Sequence, residues 1–415
     1  MTLDEWLNKI ENLHPVKWDL GLDRVGEVGR RLDVIKPAPV VYLVAGTNGK
    51  GSTCEYLEQL CLIKGIRVGK TISPHLIHFN ERIVVGGQPV PSEEICAAFE
   101  AIDSIRGDIT LSYFEFAALA ALLIFKNQKV DVAVLEIGLG GRLDAMNIVD
   151  PDVSIITQIA MDHESWLGDS LDLIAREKAG IMRTGKPCVI AGESQPSSLE
   201  EYASGKGVNV LMNDREFGLG DGRAWYTSES AKQIRMEDLP EGKLPALSAI
   251  AALQAFSCGG FAVSEDEFRR VLKQTALPGR MQWLGERILL DVAHNPNAAE
   301  YLKSRLQALP GFKSIHAVVG MYADKDCKTI LGMLKDLIGH WHFTDMDDDR
   351  AASAQELESY IPDLNRCVIS TYDKISNAYN GALQAVSDDD LLLVFGSFPV
   401  VAGVMDLTKT GPKNN

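Results

Sequence analysis

The sequence predicts an α/β protein built on a mostly parallel sheet, with a second, smaller α/β part at its C-terminal end. Three observations point there. Short β-branched runs alternate with longer helical patterns along nearly the whole chain. The strongest runs are apolar throughout instead of alternating, as strands buried on both faces are. Glycine-rich and charged segments fall where these runs stop, and open α/β sheets bind ligands beyond the carboxyl ends of their strands.

The elements follow in order. Residues 40–44, Val-Val-Tyr-Leu-Val, form a strand bounded by Pro39 and Gly46, and a helix is expected over 52–64. Helical patterns return at 92–105 and 114–126, then strands at 130–137 and 153–157, a helix at 171–181 and a strand at 188–191. Residues 192–245, rich in Gly, Ser, Glu and Asp, give no clear elements. Leu277-Pro278-Gly279-Arg280 breaks the chain, so an N-terminal domain of 1–280 and a C-terminal one of 281–415 are expected. The second holds strands at 288–292, 315–319 and 391–395, helices at 298–309 and 327–338, and a frayed tail at 408–415.

The chain has 415 residues. At roughly 150 residues per domain that suits two or three domains. With 46% apolar and 24% charged residues it is neither disordered, nor collagen-like, nor a disulfide scaffold. A net charge of −16 argues against a nucleic-acid surface, leaving room only for a local basic pocket that takes an anionic small molecule. The seven cysteines are scattered without a C-x-x-C pair, which suits reduced thiols and the cytoplasm. The N-terminus lacks a basic and an apolar signal region, and the longest apolar run, 116–125, is about half a membrane span. No membrane partner is expected.

Five segments carry chemistry. Gly46-Thr47-Asn48-Gly49-Lys50-Gly51-Ser52-Thr53 follows the strongest strand and opens a helix. Backbone N–H groups, the helix dipole and Lys50 there suit a phosphate. The spacing departs from the general P-loop, whose first Gly would fall at Val44. Ser73-Pro74-His75-Leu76 runs on to Asn80-Glu81-Arg82-Ile83, where Ser73 could ligate a cation and Arg82 could bind a carboxylate. Glu136 ends an apolar strand, as a magnesium-holding carboxylate does, and Gly138, Gly140 and Gly141 follow it. Asp162-His163 lies past another strand end, and Lys178 follows Glu177 on a helix. Asp291-Val292-Ala293-His294-Asn295-Pro296 and Gly396-Ser397-Phe398 form polar strand ends in the C-terminal part. Each alone is also compatible with an ordinary polar loop.

Jointly, and in this order, they resemble the folylpolyglutamate synthase family, relatives of the ATP-dependent Mur peptidoglycan ligases. The stretches are GTNGKGS at 46–52, SPHL at 73–76, ERI at 81–83, EIGLGGRLDA at 136–145, DH at 162–163, EKAGI at 177–181, PGRMQ at 278–282, DVAHNP at 291–296 and GSF at 396–398. Ser112-Tyr113-Phe114-Glu115 looks like the dihydropteroate-site motif of the bifunctional bacterial members, which have dihydrofolate synthase activity as well. The resemblance implies a P-loop ATPase domain joined to a smaller Rossmann-like domain, with ATP and substrates in the cleft between. It implies that ATP phosphorylates a substrate carboxylate and that the amine of L-glutamate displaces phosphate from the acyl phosphate to form an amide. Acceptors would be dihydropteroate, tetrahydrofolate and its polyglutamates, and the protein a monomer.

Roles carry over by position. Thr47, Asn48, Gly49 and Lys50 match the ATP phosphate loop; Arg280, Asp291 and, with lower correspondence, Ser248 match nucleotide contacts. Ser73, Glu136 and His163 match Mg²⁺ ligands, although oxygen donors are the general expectation for so hard a cation. Lys178 matches a lysine carboxylated on its side-chain nitrogen. Ser112, Tyr113, Phe114, Glu115, Leu143, Asp144 and Ala145 match pterin contacts, as do Trp18, Asp19 and Leu20 less closely; His294 and Ser397 match positions near the glutamate and phosphates. Four positions depart: Ser248 stands for a usual Asn, Met146 and Ser112 for Thr, and Pro399 for His. Two other readings stay open here, a folylpolyglutamate synthase without dihydropteroate activity, which an acceptor comparison decides, and a P-loop ATPase that ligates nothing, which glutamate-dependent ADP release decides.

Overall fold

The computed structural model describes residues 1–14, 19–192, 195–220, 222–228, 230–309, 311–361 and 367–410. They divide into two units, Met1–Thr275 and Ala276–Asn415. In the first, eight strands form the main sheet among the described residues: β1 (Val40–Ala45), β2 (Val68–Thr71), β3 (Ile83–Val85), β4 (Gln88–Pro89), β5 (Val132–Glu136), β6 (Val153–Ile156), β7 (Pro187–Ile190) and β8 (Asn209–Met212). Their spatial order is β4-β3-β2-β5-β1-β6-β7-β8. Pairings from β2 through β8 are parallel, and β3 and β4 are antiparallel. β1 is buried from Val41 onward, between β5 and β6. Register pairs Val44 with Glu136 and Ala45 with Ile156, so the segments after β1, β5 and β6 emerge at one edge.

Local chemistry explains the helices. Helix Tyr113–Asn127 is buried from Glu115 to Phe125, as an all-round apolar helix must be. Helices Leu3–Glu11 and Glu265–Gln274 begin with reciprocal capping boxes, Thr2 with Glu5 and Ser264 with Glu267. Lys70 on β2 sits between the carboxylates of Glu55 and Glu58 on helix Lys50–Ile63, and all three are buried.

The stretch 192–245, expected to be irregular, contains helix Ser197–Gly205, β8 and a small antiparallel sheet of β9 (Gly218–Gly220), β10 (Arg223–Thr227) and β11 (Gln233–Met236). These strands are only three to five residues long, and polar residues or glycines bound each apolar stretch. Gln254 fastens them to helix Ala246–Cys258 by two 2.9 Å bonds with the backbone of Thr227.

The second unit has β12 (Gln282–Leu284), β13 (Ile288–Asp291), β14 (Ile315–Val319), β15 (His340–Thr344), β16 (Val368–Tyr372) and β17 (Leu391–Phe395), ordered β12-β13-β17-β14-β15-β16. Only the β12 pairing is antiparallel among them. β15 alternates polar with apolar residues, β16 (Val-Ile-Ser-Thr-Tyr) is half polar and only partly buried, and neither is expected from the sequence. The helices expected over 171–181 and 327–338 stop at Ala179 and Leu334. The expected tail at 408–415 is corrected in part: helix Phe398–Thr410 continues through it, held by buried Val400, Val401 and Val404, and 411–415 lie outside the described residues. All seven cysteines are free thiols. No helix among the described residues is long and apolar enough to cross a membrane.

Candidate active site

The loop after β1 is built for close approach. Gly46 has φ +150°, and a Cβ there would lie 1.8 Å from Thr157 Oγ1, so no side chain fits. Thr47 N–H donates to the Gln158 carbonyl at 2.7 Å, and Thr47 Oγ1 donates to Ala160 O and accepts from Ala160 N–H. Thr157 Oγ1 donates to Asn48 O at 2.7 Å. The loop is thus tied to the segment after β6. Gly49 caps helix Lys50–Ile63, whose first turn presents its unpaired N–H groups. Lys50 Nζ folds back onto the carbonyls of Gly46 and Thr47 at 3.1 Å each. Thr53 Oγ1 is buried with no hydrogen-bond partner among the described residues. Ser248, from helix Ala246–Cys258, brings its hydroxyl 3.5 Å from Gly49 O and so supports the loop from behind.

Acidic and basic groups converge on the same edge. Glu136, buried at the end of β5, accepts Ser73 N–H at 2.8 Å, fixing the segment after β2 to the end of β5. Lys178, 3% exposed, donates to Gly46 O at 2.9 Å. Burial first, and then the Lys50 charge, push its ammonium down to about 7. Its helix, Leu171–Ala179, approaches through Gly141, where a Cβ would lie 2.7 Å from Glu177 O and 3.0 Å from Lys178 Cα. His163 lies past β6 in a left-handed conformation, φ +53°, half exposed beside Asp162. Its backbone N–H donates to Asp162 Oδ1 at 2.9 Å.

The segment matched to the pterin site does two jobs. Ser112 and Glu115 form a capping box at the start of helix Tyr113–Asn127. Arg24 then bridges Glu115, at 3.1 Å, to Asp19, at 2.6 Å, and His14 pairs with Asp19 at 3.1 Å. Leu20 is half-buried beside Asp19, and Trp18 lies outside the described residues. Arg82 donates to His75 Nδ1 at 2.7 Å and lies over the rings of Tyr113 and Phe79. Burial and then Arg82 push His75 down to about 4, so it stays a neutral acceptor. Asp144 is wholly occupied: its carboxylate accepts the N–H groups of Gly138, Leu139 and Met146. Burial raises it to about 6. It shapes the glycine loop between Glu136 and Leu143–Asp144–Ala145, and Phe114 stands half-buried close to Gly138.

In the second unit, Asp291 ends β13 and accepts the N–H groups of Met281 and Ala293 at 2.9 Å each. It thereby joins the loop that carries Arg280 to the one that carries His294. Arg280 lies over the Phe398 ring at 5.1 Å. His294 Nδ1 lies 2.8 Å from Val292 O; a carbonyl only accepts, so Nδ1 carries the proton. Ser397 is buried, its hydroxyl donating to Met346 Sδ.

Two family models match the chain: Mur ligase middle domain over residues 44–233 and Mur ligase, glutamate ligase domain over 279–398. The dihydrofolate synthase/folylpolyglutamate synthase of Escherichia coli K12 is 42% identical over 408 residues, covering 98% of this chain and 95% of that protein. The chain belongs to this family. The Haemophilus influenzae relative of the same name is 38% identical, with 96% of each chain covered. A solved structure described as E. coli FolC in complex with DHPP and ADP superposes with a TM-score of 0.93, at 41% identity over 99% of this chain and 98% of that one. Another, described as a bifunctional folylpolyglutamate synthase/dihydrofolate synthase with Mn, AMPPNP and L-glutamate bound, gives 0.91 at 40% identity, with 99% and 98% covered.

The donor set of this Mur ligase suits a hard divalent cation. Ser73 and Glu136 offer oxygens on adjoining strand ends, and the partnerless Thr53 hydroxyl stands at the head of the phosphate-loop helix. The sequence singles out neither Arg24 nor His14, and it marks His75 only as part of the SPHL stretch, without a role. Arg24 bonds a glutamate 91 positions away, a juxtaposition that only the fold creates.

Proposed function

We infer that this chain is an ATP-dependent ligase that joins L-glutamate to dihydropteroate, giving dihydrofolate, and to reduced folates, giving folylpolyglutamates. The observation that carries the reading is the edge where the Gly46–Lys50 loop, Glu136 and Lys178 meet, in a chain 42% identical over its length to a bifunctional relative. That edge offers backbone N–H groups and the Lys50 ammonium to polyphosphate oxygens. Thr47, Asn48, Gly49 and Lys50 hold the phosphates and align the terminal phosphoryl group with the acceptor carboxylate; positioning and charge neutralisation are most of what such a transfer requires. Ser73, Glu136 and His163 would hold Mg²⁺, which when bound supplies positive charge against the phosphates. Lys178, carboxylated, would add an anionic oxygen.

The acceptor carboxylate takes the phosphoryl group and becomes an acyl phosphate. The glutamate amine attacks its carbonyl carbon, the carbon–oxygen bond to phosphate breaks, and the amine gives up a proton as the amide forms. By their match to the family, His294 serves near the glutamate and Arg280 and Asp291 serve the nucleotide; His294 carries its proton on Nδ1, toward Val292 O. Arg82, held between Tyr113 and His75, supplies a fixed cation to the acceptor segment built on Ser112–Glu115. The protein works as a cytoplasmic monomer.

The test is ADP release with ATP, Mg²⁺ and L-glutamate, with dihydropteroate or tetrahydrofolate offered separately. Turnover of both is expected. Turnover of tetrahydrofolate alone would remove the dihydropteroate activity, and ADP release that ignores glutamate would overturn the ligase reading.

A further inference from the structure

A second cluster of chemistry lies in the C-terminal unit, away from its strand ends. His316 on β14 and His340 and His342 on β15 face one another across a parallel register that pairs His316 with His340. They take the second position of β14 and the first and third of β15, whereas Asp291 ends β13 and His294 and Ser397 lie past strand ends. One ring nitrogen from each of the three lies within 4.8 Å of the other two. His316 Nδ1 and His342 Nε2 are 3.4 Å apart. Two nitrogens bound to one tetrahedral zinc-class ion at about 2.0–2.1 Å are separated by about 3.3 Å, so this pair already has the spacing of one edge of the tetrahedron.

The surroundings are those of a ligand set as well. Each ring engages a group outside the triad through one nitrogen: His342 Nδ1 with Tyr372 Oη at 3.2 Å, His340 Nε2 with Ser370 Oγ at 3.2 Å, and His316 Nε2 near Asp390 Oδ2 at 3.8 Å. That leaves each imidazole a second nitrogen. Metal-ligating histidines use this division, with the outer contact fixing tautomer and orientation. Asp390 is buried, Ser387 bonds its Oδ2, and its Oδ1 has no hydrogen-bond partner among the described residues. Burial holds all three imidazoles below their ordinary range, His342 at about 3, so they are neutral and able to ligate at physiological pH. His316 and His342 are buried, and His340 opens to solvent.

We propose that His316, His340 and His342 form a binding site for a divalent first-row transition ion of the zinc class, separate from the magnesium-type site of the first unit. Three imidazoles favour such an ion over magnesium, which prefers oxygen donors. His340 and His342 stack with centroids 4.0 Å apart, so loading turns the His340 ring, the one facing solvent, out of the stack.

The test uses the full chain, stripped of metal by a chelator and kept in millimolar Mg²⁺ to fill the hard-cation positions. Co²⁺ is added and its visible spectrum followed. The expected result is one equivalent with tetrahedral-type absorption, displaced by Zn²⁺. His340→Asn weakens binding by at least about tenfold, and so does Tyr372→Phe, which keeps every ligand and removes only an outer contact. His163→Ala leaves the titration unchanged. Absence of binding, binding indifferent to His340→Asn and Tyr372→Phe, or binding lost in His163→Ala would each overturn the proposal.

Discussion

Replacing bicarbonate-free buffer by ¹³C-bicarbonate puts Lys178 to a direct chemical test. Only a neutral amine attacks CO₂; the new nitrogen–carbon bond gives a carbamate and releases one proton. An ordinary lysine at 10.5 is neutral in about one molecule in 3,000 at pH 7. Held at about 7 by burial and by Lys50, Lys178 is neutral in about half, a gain of roughly a thousandfold. The same displacement corresponds to about 5 kcal/mol against the buried ammonium. The sign follows. Below about 7 both folded and unfolded forms are protonated and the burial cost is fully present; it falls away as pH rises from about 7 towards 10.5, where the unfolded chain binds the extra proton. The neutral amine rises about tenfold between pH of about 6 and about 8, so a carbamate ¹³C signal should grow over that range and vanish in Lys178→Ala. Lys178→Met should abolish ligation yet melt higher than the unmodified chain at about pH 6. No signal at any pH, or the same signal in the alanine variant, would refute the argument.

Three further outcomes follow from the geometry. Gly141→Ala drives a Cβ to 2.7 Å from Glu177 O and moves the helix end that carries Lys178, so turnover should fall at least tenfold for a stability loss of about 1–3 kcal/mol, compared by ADP release and thermal melts. Lys70→Met strands the buried carboxylates of Glu55 and Glu58 and should cost about 3–5 kcal/mol in denaturant unfolding, with Glu58→Gln in the same chain recovering part of it. Arg24→Met frees the Ser112–Glu115 cap from Asp19 and should raise KM for the pterin acceptor about tenfold while leaving KM for ATP alone; an equal change in both would place Arg24 outside acceptor binding.

The parallel core was legible because β1, β5 and β17 are continuous apolar runs that stop at glycine or a charge. Phosphate-loop, Glu136 and Asp291 segments were legible for the same reason, since polar punctuation at a strand end survives any tertiary context. What was hidden depends on partners far along the chain. β15 takes its identity from pairing with β14, and β16 from pairing with β15, and a His-Trp-His alternation declares little until those pairings exist. Asp144 and Glu115 read in the sequence as ligand contacts; that they also hold the backbone N–H groups of Gly138, Leu139, Met146 and Ser112 is visible only in the fold.

The order β2-β5-β1-β6 has a consequence for how the enzyme comes into being. The phosphate loop, Glu136 and the segment holding Asp162 and His163 are distant in sequence and become neighbours only when parallel pairings across long crossovers close. Such non-local pairings form late and slowly. A nascent or partly folded chain therefore has the glycine loop but lacks the carboxylate and the lysine that complete it. Until those pairings close, the glycine loop stands apart from Glu136 and from the segment with Asp162 and His163, so that edge is a property of the finished sheet alone.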